Sequence, residues 1–506
     1  MNLLSQQSGA GAAGPTGTVR TIRPGQVLVI VCAGVVMASL DLFIVNVALP
    51  RIAVDLHEPS LGTLSWVLNG YAIIYAALLV LAGRLADQHN RKTGFLLGVT
   101  IFTLGSAACG TAASVPMLIA FRLVQAAGAA LLTPTSLGLV LASYPAERRG
   151  AAVRAWTAAG GMAAALGPVI GGLLVAASWR WVFLVNVPIG LAALLIGWRK
   201  LPDVAGHPGP RPDELSAVLV TAGVGGLTLG LVRGGAWGWG SAATIGVLAG
   251  SAIALALFAV RCLRHHNPLV EPGLFRVRSF TGASVATLLF SVSFGAMLLS
   301  IVLWMQEVWA WSALKTGLAV APGPVMVPVF TFLVTGKLLA RYGPAVVIGA
   351  GASIFAAGIL WWAVVVQLHP NYLEVLPGMV VTGIGVGLTL PSLMSTAAAS
   401  LPAPAFATGS AVVNMLRQVG FAVGVAMLVA VLGSPHGPAA ALTAFRHGWY
   451  ATAAAGIAAA AAAVVLRRGP QPAGAGAAPG AAAAASAADD DAAAAAAIIE
   501  AGGSPG

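Results

Sequence analysis

An all-helical integral membrane protein is the fold class this sequence predicts, with fourteen transmembrane helices in two pseudo-repeated six-helix bundles plus two inserted helices. Three observations lead there. The chain is 58% hydrophobic and only 8% charged, with a mean hydropathy of +0.90, far from the composition of soluble globular domains. Apolar runs of about 20 residues recur along nearly its whole length, each long enough to cross a ~30 Å hydrocarbon core as a helix. Glycine and proline patterns in the early runs also return in the late ones.

Taken in order, residues 1–26 form an N-terminal segment that is polar, rich in Gly, Ala and Thr, and carries Arg20 and Arg23 near its end. A basic segment before an apolar run has the order of a signal peptide. The run is long, however, and no small-residue cleavage site follows it, so the first span is expected to be retained. The predicted spans are 27–49, 64–82, 94–112, 116–142, 151–176, 181–198, 215–232, 241–262, 280–304, 317–336, 345–366, 375–399, 409–432 and 448–466. They divide the chain into an N-terminal six-helix bundle (27–200), two inserted transmembrane helices (201–264) and a C-terminal six-helix bundle (265–468). Residues 469–506 are Ala, Gly and Pro with a short Asp489-Asp490-Asp491 run. This low-complexity tail has almost no large apolar side chains to bury and is expected to be disordered.

The net charge of +11 is scattered over short loops. That is the pattern of residues that set membrane orientation, and it argues against a nucleic-acid partner. With a cytoplasmic N-terminus, nineteen of the 26 Lys and Arg residues fall on the cytoplasmic side and five outside, with Arg122 and Arg417 inside spans. This bias supports both the orientation and the span count, and an even count places both termini in the cytoplasm. Cys32, Cys109 and Cys262 fall in separate apolar runs without a C-x-x-C, as packing residues do.

The internal repeat joins spans eight apart. Gly128-x5-Pro134-x-Ser136-Leu137 in span 4 is echoed by Gly385-x5-Pro391-Ser392-Leu393 in span 12, and Gly83-Arg84-Leu85 with Asn90 by Gly336-Lys337-Leu338 with Gly343. Spans 1–6 then correspond to 9–14, with 7–8 inserted. Halves related about an axis along the membrane normal are a transporter architecture, with the substrate site near the midplane between them.

Two stretches carry chemistry. Leu40 to Pro50 holds Asp41 and Asn46 in an apolar run. A carboxylate near the bilayer centre costs at least ~2.5–3.5 kcal/mol, so it is expected to face a protein or water-lined interior. The connection Gly83 to Lys92 must turn tightly, and Asn90 stands where glycine would turn most easily, Asn being next best for a left-handed conformation. Asp87 beside Arg91 and Lys92 is placed to pair locally or to cap a neighbouring helix. Such a latch would favour one arrangement of two bundles; charges that merely set topology are the alternative.

These stretches resemble the major facilitator superfamily. Gly83 to Lys92 is similar to its signature loop G-x-L-x-D-x-x-G-R-K, departing at Gln88 and Asn90. Leu40 to Pro50 resembles L-D-x-T-I-V-N-V-A-L-P of the fourteen-span drug:proton antiporter branch (EmrB/QacA-like), with Phe43 replacing Thr. Arg122-x-x-Gln125-x-x-Gly128 resembles the fourth-span motif, and Gly160-x6-Gly167-Pro168-x-x-Gly171-Gly172 the fifth-span motif associated with exporters. Trp179-Arg180-Trp181-x-Phe183-x-x-Asn186-x-Pro188-x-Gly190 and Asn414-x-x-Arg417-Gln418-x-Gly420 are similar to the same branch.

The resemblance implies a multidrug efflux antiporter of the plasma membrane. It would exchange protons for small lipophilic, often cationic, compounds, contributing to antibiotic resistance, with no cofactor beyond the proton gradient. Asp41 would carry the proton with Arg122 as partner; by residue count they lie about 12 and 9 Å from the outer ends of their spans. A static ion pair is the alternative for the two. Gly83, Asp87, Arg91, Gly167, Pro168, Gly171 and Gly172 would serve conformational gating, the glycines by letting helices approach and Pro168 by bending its helix. Asn46, Gln125, Gln306 and Arg417 are candidates for the substrate cavity or for inter-helix hydrogen bonds, and Glu307 is a weaker proton-site candidate.

A monomer in the lipid bilayer, acting on a small-molecule substrate, is expected. No G-x-x-x-x-G-K-[ST] loop cradles ATP phosphates, His265-His266 lacks the spacing of a metal site, and no nucleophile–base constellation suggests an enzyme. Transport of one metabolite in either direction, or a membrane receptor or scaffold, are the other readings.

Overall fold

The computed structural model describes residues 24–206, 213–401 and 406–464. The predicted C-terminal tail and nearly all of the N-terminal segment lie outside them. Among these residues sixteen α-helices follow one another: α1 Pro24–Asp55, α2 Leu61–Gln88, α3 Arg91–Gly110, α4 Val115–Ser143, α5 Ala146–Ala177, α6 Trp181–Leu184, α7 Asn186–Lys200, α8 Glu214–Trp237, α9 Ala242–Arg264, α10 Arg278–Leu303, α11 Ala313–Val320, α12 Pro322–Phe330, α13 Gly336–Val365, α14 Tyr372–Ala399, α15 Phe406–Leu432 and α16 Pro438–Ala463. Short π-helical turns continue α10 (Trp304–Val308) and join α12 to α13 (Thr331–Thr335). No strand occurs among the described residues.

Local chemistry starts several helices. Ser60, Ser114, Ser241 and Ser312 each accept a hydrogen bond from a backbone N–H three residues on, satisfying an otherwise orphaned donor of the first turn. Asn90 does the same for α3, accepting from the Lys92 and Thr93 amides at 2.9 and 3.2 Å. Its φ is −63°, so the left-handed turn expected at Asn90 is not formed. A capping side chain needs extended backbone there. The left-handed position occurs instead at its repeat counterpart, Gly343, where φ is +76°.

Among the described residues, eleven helical stretches are long and apolar enough to cross a membrane, or twelve when α5 is counted across its 45° bend between Ala164 and Leu166. Pro168 explains the bend, since it cannot donate to the Ala164 carbonyl four residues back. Each of the fourteen predicted runs coincides, within a residue or two, with helical chain among the described residues; residues 465–466 of the fourteenth lie outside them. The tenth and eleventh, however, merge into one stretch, Ala313–Val365. The fourteenth, α16, is rich in alanine and carries Arg446 and His447, which keeps it below the hydropathy a span needs.

Packing within the first six runs recurs in the last six. α1 lies on α5 as α10 lies on α15, and α3 on α4 as α13 on α14. In the latter pairs a β-carbon at Gly128 would fall 2.9 Å from the Gly98 carbonyl, and one at Gly385 would fall 2.7 Å from the Gly351 carbonyl. Helices in lipid have no hydrophobic drive to associate, so such small-residue contacts hold them together. The partner glycines sit in matching strings, Gly98-x-x-Ile101-Phe102-x-x-Gly105 and Gly351-x-x-Ile354-Phe355-x-x-Gly358. The two halves meet along α2 and α15 and between α5 and α11. Ala76 and Val80 of α2 share one buried cluster with Val412 and Val413 of α15. α8 packs beside that seam, and α9, the least buried span, packs on α8.

Candidate functional site

Asp41, near the middle of α1, is fully buried, and four other helices of the first half supply the network around it. Arg122 of α4 forms an ion pair with its Oδ2. Gln125, one helical turn on, donates from Nε2 to Asp41 Oδ1 at 2.8 Å and to Ser106 Oγ of α3 at 2.7 Å. Its Oε1 accepts from Arg122 Nη1 at 2.7 Å. Asn186, the first residue of α7, donates to Asp41 Oδ1 at 3.4 Å. The guanidinium also donates from Nε to the Val67 carbonyl of α2 at 3.2 Å, and lies 4.1 Å from the centre of the Tyr71 ring.

Every partner of Asp41 is therefore a donor. An ionised carboxylate accepts all of these bonds, whereas a protonated one carries an O–H that must itself find an acceptor. Gln125 cannot turn its amide to offer one without presenting its N–H groups to Arg122. Protonation of Asp41 thus conflicts with the whole arrangement. In a dry site a buried pair stripped of one partner loses about 3–5 kcal/mol, because the other charge stays behind uncompensated.

Of the residues singled out in sequence, the fold brings together Asp41, Arg122 and Gln125. Gln125 lies inside the network, fully buried. Asn46 turns away, donating to the Leu42 and Phe43 carbonyls of its own helix at 3.3 and 3.4 Å. Gln306, in the π-turn after α10, reaches across to the Val47 carbonyl of α1 at 3.1 Å, a contact between halves. Glu307 beside it is exposed. Arg417 lies on α15, half-buried and apart from the network. Ser106, Tyr71 and Asn186 had not been singled out as site residues. Only Asn186 had a signal, as a member of the Trp179–Gly190 motif.

The glycines of α5 divide between two neighbours. A β-carbon at Gly167 would lie 2.8 Å from Phe43 Cβ, and one at Gly171 3.0 Å from the Ile44 carbonyl, both on α1. One residue further round, the Pro168 carbonyl stands against Gly317, and a β-carbon at Gly172 would lie 2.7 Å from the Ala313 carbonyl, both on α11 of the other half. Two adjacent i, i+4 rows thus pack α5 on its own half and on the opposite one.

At the connection between α2 and α3, Gly83 is not crowded: a β-carbon there would meet only Pro134 Cβ, at 3.8 Å. Arg91 donates to the Gly138 carbonyl at 3.3 Å, and Lys92 pairs with Asp203, after α7, at 3.5 Å. Arg84 bonds to Asn267 and pairs with Glu271 at 3.6 Å, both in the approach to α10. The Asp87 side chain lies outside the described residues. A further ion pair joins the inserted helices, where buried Asp213 caps α8 and receives Arg261 Nε at 2.8 and 2.9 Å. Burial alone would push its carboxyl up, but the bonds from Arg261 and Ser216 outweigh it and hold it below its ordinary value.

The sequence profile of the Major Facilitator Superfamily matches residues 31–425. The chain is 32% identical to a tetracenomycin C resistance and export protein of Streptomyces glaucescens, covering 81% of this chain and 76% of that one. It is 35% identical to a cephamycin export protein of Amycolatopsis lactamdurans, over 84% and 88%. Among solved structures, a bacterial homologue of the human lysosomal transporter Spinster, inward-facing and unoccupied, superimposes with a TM-score of 0.64 at 18% identity, over 90% of this chain and 100% of that one. That likeness shows the fold alone.

Proposed function

The chain belongs to the major facilitator superfamily, and we propose that it is a proton-coupled exporter of small lipophilic compounds, of the fourteen-span antiporter branch. That it is a multi-pass transporter of small molecules and not an enzyme follows from the family. Proton coupling is our reading, and one observation carries it: Asp41, with Arg122, sits in a network made entirely of donors to the carboxylate. Loading a proton breaks the Arg122 contact and removes the reason for α1, α4 and α7 to stay as they are. Unloading restores it. A site with two incompatible arrangements, each tied to a protonation state, is what converts a proton gradient into movement of helices.

We infer that the two halves rock about the α2–α15 and α5–α11 contacts, with both termini cytoplasmic in the plasma membrane and one chain as the working unit. Fourteen crossings are supported when Ala313–Val365 is divided at Gly343, whose left-handed backbone breaks the helix, and α16 is counted as the partner of α10 and α13. The recurring glycine contacts support duplicated halves. The export direction rests on the relatives and on the fifth-span glycines.

The test is efflux from reconstituted vesicles across a panel of lipophilic compounds, with internal pH followed by a dye. Compound-dependent proton movement that disappears in Asp41→Asn is expected. Full proton-driven efflux in Asp41→Asn would remove the coupling role, and proton movement with a single member of a broad panel would favour a dedicated metabolite carrier. No movement with any member would leave a receptor or scaffold as the better reading.

A further inference from the structure

We infer that Phe43 is the positioning residue through which the charge state of Asp41 reaches the second half. The inference rests on the reading as a proton-coupled transporter and deepens it, by naming the contact that carries the effect of the proton across the seam.

Asp41 and Phe43 stand two residues apart on α1, so at about 100° per residue they point to opposite faces of the helix. The Asp41 face is held by Arg122, Gln125 and Asn186 of the first half. On the other face the Phe43 ring meets Phe294 of α10, with ring centres 6.0 Å apart and planes at 60°. That is the edge-to-face geometry aromatic pairs prefer. One turn further along the same face, the Val47 carbonyl accepts from Gln306, also of the second half. The charge network thus grips α1 on one face, and the opposite half grips it on the other.

The grip on Phe43 is well braced. Phe294 lies nearly parallel to Phe290, at 6.4 Å and 11°. Phe355 of α13 tilts against both, 4.9 Å from Phe290 and 6.4 Å from Phe294. Phe290 and Phe355 are fully buried, whereas Phe43 and Phe294 are half-buried. Three rings of the second half therefore receive a fourth from the first. Phe43 also packs against two apolar clusters, one built from residues 27–201 and one that reaches through both halves. The threonine found here in the motif this stretch resembles is too short to reach Phe294.

The all-donor network described above requires an ionised Asp41, so the ring pair belongs to the ionised arrangement. Protonation breaks the Arg122 contact and frees α1 to turn. Asp41 and Phe43 ride on one helix, and a turn that carries one away from Arg122 carries the other off Phe294. A contact made in one protonation state and lost in the other couples the proton to the arrangement of the halves.

The test is electron–electron double resonance between spin labels at His89 and Tyr342, exposed residues in corresponding connections of the two halves. It uses the full chain in lipid nanodiscs, at pH values where Asp41 is ionised and where it is protonated. The infrared carboxylic-acid band that Asp41→Asn removes reports which state is present. In the natural protein the balance between label distances is expected to follow that band. Phe43→Leu keeps apolar bulk and loses the ring. With Asp41 ionised, it should shift the balance away from the arrangement described here by roughly two- to tenfold, the worth of one edge-to-face pair. With Asp41 protonated, it should change nothing. Phe294→Leu should act alike from the other half, the double variant should do no more than either single, and Phe43→Tyr should keep the natural balance. Should Phe43→Leu not fold, Phe294→Leu decides alone.

An equal shift in both protonation states would make Phe43 a plain strut between the halves and overturn the inference. No shift in either state, or additive shifts in the double variant, would overturn it as well. A natural protein whose label balance ignores the band, or that shows no such band, fails the proposed coupling and this inference together. A natural protein that follows the band, with a Phe43→Leu variant that follows it identically, fails this inference alone.

Discussion

Gln125 holds the Asp41 oxygen that Arg122 does not, donating to Oδ1 at 2.8 Å while its own oxygen accepts from Arg122. One amide thereby fixes the polarity of the whole cluster: its oxygen can face only the cation and its nitrogen only the anion. Asp41 is then more than half of an ion pair, because its protonation state is written into the orientation of a neutral neighbour.

The Asp41–Arg122 pair should behave as a unit. Either Asp41→Asn or Arg122→Gln leaves a buried charge unpaired and should cost about 3–5 kcal/mol, read as a lowered midpoint of thermal unfolding in detergent. The double variant should be more stable than the sum of the singles implies, by a coupling of at least 1 kcal/mol, on the order of that seen for residues in one network. Additive losses would mean that the two charges do not sense each other.

Tyr71 separates ring from hydroxyl. Its ring lies under the Arg122 guanidinium, while its hydroxyl has no partner among the described residues. Tyr71→Phe should therefore leave unfolding within about 0.5 kcal/mol of the natural protein, and Tyr71→Leu should lose about 1–2 kcal/mol of cation–π stabilisation. A larger loss in Tyr71→Phe than in Tyr71→Leu would contradict this.

The two glycine rows of α5 should fail differently. Gly172→Val thrusts a side chain against the Ala313 carbonyl of the opposite half and should widen the distance between spin labels at Ala177 and Lys315 by several Å, about the reach of an added side chain. Gly167→Val crowds Phe43 within its own half, so it should lower stability by about 1–3 kcal/mol and leave the label distance alone. Identical label distances in both variants would refute the division of labour.

The Asp213–Arg261 pair predicts a pH response away from the membrane interior. Because the Asp213 carboxyl titrates below its ordinary value when folded, its contribution is fully present above that ordinary value. It is lost as pH falls through the lower folded one. Asp213→Asn should cost about 1.5–3 kcal/mol at neutral pH, with the difference from the natural protein shrinking toward pH 3. A difference that stays constant with pH would assign the loss to packing.

Read as a string, the chain determined its own class. Hydropathy is a local property, so the runs, the uneven spread of the basic residues over alternate loops and the isolated acid at Asp41 are visible without a fold. The glycine and proline echo at Gly128 and Gly385 is visible too, and the longer echo of Gly98 and Gly351 gains its meaning only from the helix contacts it forms. What a string lacks is rotation of one helix about its axis relative to another. Asp41 meets Arg122, Gln125 and Asn186 across 81, 84 and 145 residues, and a turn of about 100° per residue in any of those helices would part them. Only the tertiary structure decided that Gln125 belongs to the charge cluster while Asn46 serves its own backbone, and that Gly171 and Gly172 face different halves. Burial and pairing depend on which faces meet, and in a uniformly apolar helix the residue pattern scarcely marks a face.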